Sequence, residues 1–480
     1  MKILNVVGLF LFVSCCQAHA DDPPLATIVE EARQSWSAPG VVAVVVKGER
    51  TLLISGFGTR DHEGRKPVTV ETVFPIGSCT KAFTSATIAS LVHERRLNFD
   101  DPVSKHLPSF KLSDPHANAM VTLRDLLSHR TGLNGHDLLW YYAPWSLEES
   151  VRRIGELELA GPFRGSFHYS SLTVAAAGLA VARSSGKSWE QLVRTQLVEP
   201  LGMKRIAFTS DQFDANPNRA EGFRRTDDDK IVPMPAYRMK EAHPAGSLSM
   251  SAAEMETWLR YQLANSTSEL AETKRPQTIV PLTPAVKPYH PHGTQVSYGM
   301  GWLIYDYRGK LVIAHGGMID GMRTQFTLLP EEKIGIALCN NLHESKMNLA
   351  VTLSMIDHLL DHAKTDWNQY FRNLEREEAE QVRDAMEEVT RQRHADVKPR
   401  LPLASYAGTY RNPAYGTGTV AMKSGRLVWS WSSFAVPLEP WEGEIFRMTE
   451  GRFKNHFVEF RVGGNGANAV RFADRVFETK

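Results

Sequence analysis

The sequence has few cysteines and almost no net charge. Its 480 residues include 4 cysteines, and 55 Lys and Arg nearly balance 54 Asp and Glu. Because no polybasic tract is present that could neutralise a run of phosphates, nucleic-acid binding is excluded. An apolar fraction of 42% excludes a disordered chain. Two cysteines lie before residue 20, and we expect the other two, Cys79 and Cys339, to be free buried thiols.

Long hydrophobic runs are also missing, with one exception at the N-terminus. Lys2 is followed by the largely apolar residues 3–13 and then by Ala18-His19-Ala20, which is the pattern of a secretory signal peptide. The run is well short of the roughly 20 residues that span a membrane. We therefore predict a signal peptide over residues 1–20, a secreted or periplasmic protein, and no integral membrane segment in the mature chain. Cys15 and Cys16 leave lipoprotein anchoring as a less favoured alternative.

Strand signals lie at the two ends of a long region whose middle has helical patterning. Residues 41–46 and 51–55 predict a hairpin of buried strands. Strand patterns resume at residues 301–305, 311–314, 324–329 and 334–339, and a helix is expected over residues 349–362. Strands this far apart in the chain predict an α+β fold, with one antiparallel sheet and an inserted helical lobe.

The last quarter of the chain changes character twice. Residues 366–398 combine dense charge with apolar residues at helical spacing, which predicts an amphipathic connecting helix. Beyond Pro402, short strands alternate with Gly and Pro, so we expect a small all-β barrel or sandwich. The predicted organisation is a signal peptide (1–20), a first domain (21–365), a helical linker (366–398) and a strand-rich domain (399–480).

Several common catalytic motifs are absent. The sequence has no G-x-S-x-G elbow, no H-E-x-x-H, no C-x-x-C and no Walker loop. It does contain Ser78-Cys79-Thr80-Lys81, which follows Gly77 and opens an apolar helical run. A second S-x-x-K copy, Ser184-Ser185-Gly186-Lys187, is typical of a helix end terminated by glycine. We therefore place the chemistry at the first copy, where the alternative is a serine that only caps the helix.

The S-x-x-K spacing suits nucleophilic catalysis. A serine hydroxyl needs a neighbouring base, and residues three apart on a helix share one face, so Lys81 can reach Ser78. Burial near a helix N-terminus would lower the pKa of the lysine, so that a neutral amine could accept the proton. The backbone N–H of Ser78, at the same helix N-terminus, would stabilise an oxyanion.

Three segments carry a resemblance to a known family, and they are residues 72–85, 100–108 and 123–133. Together they resemble the serine β-lactamase-related superfamily, which includes class C β-lactamases, penicillin-binding proteins with DD-peptidase activity, D-aminopeptidases and family VIII esterases. The resemblance runs from about residue 24 to residue 362 and implies a β-lactamase/DD-peptidase-like antiparallel sheet with a helical lobe. The residues from Tyr406 onward resemble the lipocalin-like barrel that follows this domain in some relatives.

The resemblance also implies a Y-x-N motif, whose tyrosine relays protons with the lysine. His168-Tyr169-Ser170-Ser171 occupies the corresponding place, so Tyr169 resembles the catalytic tyrosine; an ordinary interface tyrosine is the alternative. Ser171 stands where the family usually has Asn. Because a hydroxyl cannot offer both an amide donor and an amide carbonyl, this departure argues against efficient β-lactam hydrolysis.

The third family motif is K-T-G or H-x-G on the strand that lines the active site. His315-Gly316-Gly317 follows the predicted strand at residues 311–314, and its glycines would let a substrate backbone approach. We expect His315 to hydrogen-bond Tyr169, although a structural histidine is the alternative. The resemblance implies that the backbone N–H of Met318 is the second oxyanion donor.

Two further features stay open. Arg323 either meets a substrate carboxylate or lies on the surface, which we favour. The aromatic residues at 140–145 either wall the cleft or fill the core of the helical lobe.

These features predict a secreted serine hydrolase that needs no metal or organic cofactor. It would cleave small-molecule esters, amides or peptides through an acyl-enzyme on Ser78, and an esterase or a peptidase for D-amino-acid or short peptides is favoured. Lys81, Tyr169 and His315 complete the catalytic set, with Ser171, Gly316, Gly317 and Met318 binding the substrate or its oxyanion. The alternatives are a β-lactamase or DD-carboxypeptidase, and a non-catalytic protein that binds penicillin or peptidoglycan or mediates assembly. Homo-oligomer formation is left open.

Overall fold

The computed structural model describes residues 23–464 and 466–479; the predicted signal peptide, with Cys15 and Cys16, lies outside them. The helices are α1 Pro23–Ser35, α2 Thr80–His93, α3 Val103–His106, α4 Pro115–Met120, α5 Leu123–Leu127, α6 Leu147–Arg152, α7 Ser171–Ser185, α8 Trp189–Val193, α9 Ser210–Asp214, α10 Ala252–Ala264, α11 Ser268–Glu272, α12 Met347–Leu359 and α13 Trp367–Arg391. Among the described residues, no helix is both long and apolar enough to cross a membrane.

The strands build one large sheet, two small sheets and a closed barrel. In chain order they are β1 Gly40–Lys47, β2 Arg50–Gly58, β3 Phe74–Pro75, β4 Ile206–Ala207, β5 Phe223–Arg225, β6 Ile231–Pro233, β7 Ser249–Met250, β8 Thr278–Val280, β9 Val296–Tyr298, β10 Leu303–Tyr307, β11 Lys310–Ile319, β12 Met322–Leu329, β13 Ile334–Asn340, β14 Gly408–Asn412, β15 Gly416–Lys423, β16 Arg426–Trp431, β17 Phe434–Glu442, β18 Ile445–Met448, β19 Phe457–Gly463, β20 Gly466–Phe472 and β21 Arg475–Glu478. The large sheet has the order β2-β1-β13-β12-β11-β10-β9-β8, and its neighbours are antiparallel. The predicted α+β fold is confirmed.

The sequence of strand β1 is a continuous apolar run because the strand lies between two hydrophobic cores. Val41, Ala43 and Val45 pack on one face of the sheet, in a core shared with α1 and α12. Residues 42, 44 and 46 face the other way, into a core shared with α2 and α10. Both faces of the strand are therefore covered, and every side chain in the run is buried.

Helix α13, Trp367–Arg391, lies within the segment in which we predicted a connecting helix, but only part of the predicted apolar face is buried. Trp367 and Phe371 are buried against the core of α1 and α12. Further along the helix, Val382 and Val389 are exposed. Apolar spacing predicted the helix, but most side chains of its second half are exposed.

The C-terminal strands β14–β21 close into an eight-stranded antiparallel barrel. Aromatic side chains, including Trp429 and Phe446, fill it. This core is continuous with that of the helical lobe, which includes Leu139 and Leu172. The predicted barrel is confirmed, and it packs firmly on the lobe that carries α7.

Candidate active site

Ser78 lies in a short 3₁₀ turn, Gly77–Cys79, immediately before α2. Two glycines bring strand β11 against this turn. A Cβ on Gly77, whose φ is +51°, would lie 2.8 Å from the backbone N of Met318, and a Cβ on Gly317 would lie 1.9 Å from the carbonyl oxygen of Ile76. Only glycine permits this contact, which places the backbone of Met318 beside the residue that precedes Ser78.

Lys81 lies one helical turn after Ser78 and is completely buried. Its Nζ is 3.1 Å from Ser78 Oγ, 3.3 Å from Ser171 Oγ and 2.9 Å from the carbonyl oxygen of Ala245. None of these partners carries a charge. Desolvation therefore lowers the pKa of Lys81 to about 7, with only partial opposition from the negative charge of Asp137. A large fraction of Lys81 is a neutral amine near neutral pH.

Tyr169 precedes α7 and reaches the same hydroxyl. It lies close enough to Ser78 to influence its ionisation, and Lys81 Nζ lies 4.9 Å from the centre of its ring. Although Tyr169 is 37% exposed, desolvation by the surrounding groups raises its pKa above the usual value, and its interaction with Ser78 only partly offsets this. Since the pKa of Lys81 is lowered and that of Tyr169 is raised, Lys81 is the better base and Tyr169 remains a neutral phenol at neutral pH.

His315 does not make the expected bond to Tyr169. Its Nδ1 is 2.6 Å from the carbonyl oxygen of Gly316, and its Nε2 is 2.9 Å from the hydroxyl of Tyr298. A carbonyl can only accept, so Nδ1 carries the proton and Nε2 accepts from Tyr298. Burial, and then the nearby charge of Lys81, lowers the pKa of His315 to about 3. The motif itself lies inside β11 rather than after it, because the strand runs on to Ile319.

His129 is a site residue that we did not identify from the sequence. Its carbonyl oxygen accepts from the N–H of His168 (2.9 Å), and its Nδ1 accepts from the N–H of Ser170 (3.2 Å). The backbone on both sides of Tyr169 is thus held by one residue, whose ring centre lies 4.4 Å from that of Tyr169. His129 is fully buried and has a φ of +57°, an uncommon conformation often found at functional sites. Its only sequence signal was its position in the 123–133 segment.

Ser78 lies where two cavities meet. The larger, of about 560 Å³, is lined by aromatic side chains including Phe167 and Tyr305. Arg323, expected on the surface, lines this cavity, and its buried Nε has no hydrogen-bond partner. The smaller cavity, of about 320 Å³, is walled partly by Trp140 and Tyr141, so the aromatic cluster does reach the cleft.

The structure brings all eight predicted site residues together. Ser78, Tyr169 and Met318 line both cavities, His315, Gly316 and Gly317 line the larger one, and Ser171 lines the smaller one. Lys81 lies beneath them in the core. Cys79 and Cys339 are free and buried, as expected. The arrangement places a hydroxyl, a buried amine and a phenol around one space.

The sequence matches two models of known protein families. A family model described as Beta-lactamase matches residues 25–354. The chain belongs to the Beta-lactamase family. A second model, described as a domain of unknown function (DUF3471), matches residues 392–478, which contain the barrel. The resemblance inferred from the sequence is confirmed, and the chain is a Beta-lactamase-family hydrolase.

Proteins similar to this family member include a hydrolase and several solved structures. The curated protein unguisins hydrolase ungD' of Aspergillus campestris is 28% identical over 419 residues, covering 83% of this chain and 77% of the relative. The octameric penicillin-binding protein homologue from Pyrococcus abyssi has a TM-score of 0.64 at 21% identity, covering 96% of this chain and 100% of its own. The D-amino acid amidase from Ochrobactrum anthropi SV3 has a TM-score of 0.57 at 20% identity, covering 71% and 98%. The two solved structures show a shared fold.

Proposed function

We propose that the protein is a serine hydrolase that cleaves esters or amides through an acyl-enzyme on Ser78. The observation that carries this proposal is the distance of 3.1 Å between Ser78 Oγ and the Nζ of a completely buried lysine. A buried lysine without a charged partner is costly to stability, so its place beside a cavity-lining hydroxyl favours a catalytic role. Of the two described side chains beside Ser78, Lys81 is the better base, because Tyr169 remains a neutral phenol.

The hydrogen bonds around Lys81 suit a base. A neutral amine has two N–H groups and one lone pair, and the Ala245 carbonyl and Ser171 Oγ are placed to accept the two N–H groups. The lone pair is then directed at the Ser78 hydroxyl. Ser171 needs only to accept in this role, which a hydroxyl does as well as the amide of the usual Asn.

The reaction then follows in two stages. The Ser78 proton moves to Lys81 Nζ as Oγ bonds to the carbonyl carbon, and the backbone N–H groups of Ser78 and Met318 hold the oxyanion. As the intermediate collapses, the proton passes from Lys81 through the Tyr169 hydroxyl to the leaving alcohol or amine, and the ester or amide bond breaks. Water attacks the acyl-enzyme with the same groups acting in reverse, releasing the acid and restoring Ser78.

We place esters and short D-configured peptides or amides first among substrates. The larger cavity is aromatic and suits an apolar side chain. Relatives described as unguisins hydrolase and D-amino acid amidase are in keeping with this choice. A β-lactamase or DD-carboxypeptidase activity is the second candidate, because a penicillin-binding protein homologue shares the fold. Ser171 in place of Asn argues against it.

A substrate panel tests the proposal. Purified protein is assayed with p-nitrophenyl esters, D-aminoacyl amides and nitrocefin, and separately labelled with a fluorescent penicillin. We expect turnover of esters or D-aminoacyl amides that exceeds turnover of nitrocefin. Fast nitrocefin hydrolysis would favour the second candidate, and penicillin labelling without any turnover would favour a binding protein. No turnover and no labelling would contradict the proposed activity.

Export, domain borders and assembly are part of the proposal. We propose that residues 1–20 direct secretion or periplasmic export and that residues 21–365, 366–398 and 399–480 are the hydrolase, linker and lipocalin-like units. N-terminal sequencing of the exported protein should begin at or near residue 21. The Pyrococcus homologue is octameric, and light scattering would show whether this chain also associates.

A further inference from the structure

The C-terminal barrel reaches the cavity that contains Ser78. Arg452 lies in the short turn Gly451–Phe453, between β18 and β19 of the barrel. Its side chain lines the smaller cavity, together with Ser78 and Tyr169 from the hydrolase region. A residue more than 350 positions after the proposed nucleophile therefore contributes to the wall of the same space.

Arg452 is held in place by charge and stacking. Its Nη2 lies 3.2 and 3.4 Å from the two carboxylate oxygens of Asp320, and its guanidinium carbon lies 4.4 Å from the ring centre of Tyr141. Asp320 is buried and also accepts from the hydroxyls of Tyr141 and Tyr142. Because Asp320 neutralises the guanidinium, Arg452 presents a fixed wall to the cavity rather than an unpaired charge for an anionic group.

The barrel is attached to the hydrolase region by contacts that do not involve Arg452. The Arg153 guanidinium donates to the carbonyl oxygen of Ala414 (2.5 Å) and stacks on Trp145 at 4.0 Å, and Trp145 in turn contacts Trp431. Ser433 Oγ donates to the carbonyl oxygen of Tyr142 (3.0 Å). The apolar core also continues from the lobe into the barrel. Truncating Arg452 should therefore change the cavity without detaching the barrel.

We propose that Arg452 is a specificity-determining residue that closes the end of the smaller cavity. It limits the length of the group that the substrate places on that side of the scissile carbonyl. The favoured substrates are thus esters or amides in which one of the two flanking groups is short. This inference rests on the proposed acyl-enzyme activity and extends it, since it assigns the barrel a part in substrate selection.

Two ester series test this role. In one, the acyl group of p-nitrophenyl esters is lengthened from two to eight carbons; in the other, the alcohol is lengthened while the acyl group is fixed. Arg452→Ala should raise the kcat/KM of long over short substrates by about tenfold or more in one series, because added methylenes gain a buried site. Arg452→Lys, which keeps the charge but not the stacked plane, should shift the ratio less.

Arg447→Ala is the matched control, because Arg447 is another barrel arginine, paired with Glu439 and stacked on Trp441, and is not in the cavity wall. It should leave the chain-length ratio unchanged. Arg452→Ala could instead leave the ratio of kcat/KM for long over short substrates unchanged in both series, at a melting temperature close to that of the native protein. That result, or an equal loss of kcat/KM on every substrate, would overturn this inference but not the proposed function. A native protein that turned over no ester or amide would overturn the proposed function and this inference with it.

Discussion

Two segments of this molecule share the S-x-x-K spacing but lie in opposite surroundings. Around Ser78 the chain stays helical, so Lys81 Nζ returns to 3.1 Å from the hydroxyl and is completely buried. The helix that contains Ser184 ends at Ser185, and Gly186 adopts a left-handed conformation with a φ of 66°. Lys187 therefore leaves the helix and is exposed, and Ser184 bonds to a ring nitrogen of His106 instead.

The difference shows what the spacing requires before it can support chemistry. The helix must continue through the lysine, so that the amine and the hydroxyl share a face. The lysine must also lose its water, since desolvation is what lowers the pKa of Lys81 to about 7. The second copy meets neither condition, which makes its residues natural controls for the first.

Replacing the two serines should give the largest contrast. Ser78→Ala should lower kcat/KM by about a thousandfold or more, because the proposed acyl-enzyme forms on its hydroxyl. Ser184→Ala should leave kcat/KM within about twofold, since Ser184 lies on the exposed end of α7. Both variants are assayed on the best substrate of the panel and checked by circular dichroism. Equal activity of the two variants would show that the surroundings of Ser78 do not make it the nucleophile.

The pH dependence of kcat/KM should follow Lys81. The neutral amine is the base, and its pKa is about 7, so kcat/KM should fall about tenfold per pH unit as the pH drops below that value. Between pH 7 and pH 5 the loss should reach about fiftyfold, because half of the amine is already protonated at pH 7. Lys187→Met should have the same profile as the native protein. A flat profile across this range would show that Lys81 is not the base.

Changing the histidine beside each copy should sharpen the contrast further. Asn tolerates the left-handed conformation of His129, so His129→Asn should fold but lose the ring that packs on Tyr169. We expect kcat to fall about ten- to hundredfold with a smaller change in KM, because Tyr169 is misplaced. His106→Asn, at the second copy, should affect stability but not kcat. Equal kcat values in the two variants would show that His129 does not position Tyr169 for catalysis.

The pH dependence of stability should also differ between Lys81 and Lys187. This effect should be smaller than the effects on activity. The folded-state pKa of Lys81 lies below its ordinary value of 10.5, so the unfolded chain binds the proton more tightly. The stability of the native protein relative to Lys81→Met should therefore rise as pH increases from about 7 to about 10, and stay level below 7. We expect a relative shift in melting temperature of a few degrees, since a chain of this length shifts by about 1 °C per kcal/mol. Lys187→Met should show no such trend. A trend of opposite sign would contradict the buried, neutral state.

Much of the fold could be predicted because its signals are local. The apolar run of β1 and the alternating strands of the barrel follow from side-chain periodicity, and the glycine at 186 marks a helix end. The exposure of Val382 could not be predicted, because helical spacing does not say how far a partner surface extends. Strand β11 ran past its predicted end for a similar reason, since pairing with β12 carries it through the glycines.

The site was predictable where one helical turn or one motif sets the geometry, as for Ser78 and Lys81. Two other contacts could not be predicted, because each joins residues from separate elements. They are the hydrogen bond from Tyr298 to His315 and the hydrogen bonds by which His129 holds the backbone around Tyr169. The position of Arg452 was the least predictable, since it depends on how the barrel packs on the helical lobe. Long-range packing of this kind leaves no mark on the spacing of residues.

Covalent labelling followed by peptide mapping tests the central claim most directly. The protein is treated with a fluorophosphonate, digested and analysed by mass spectrometry over a range of pH. We expect one adduct, on Ser78, whose rate of formation rises with pH through about 7, and none on Ser184. An adduct on Ser184 or another residue, or a rate on Ser78 that does not change with pH, would contradict it.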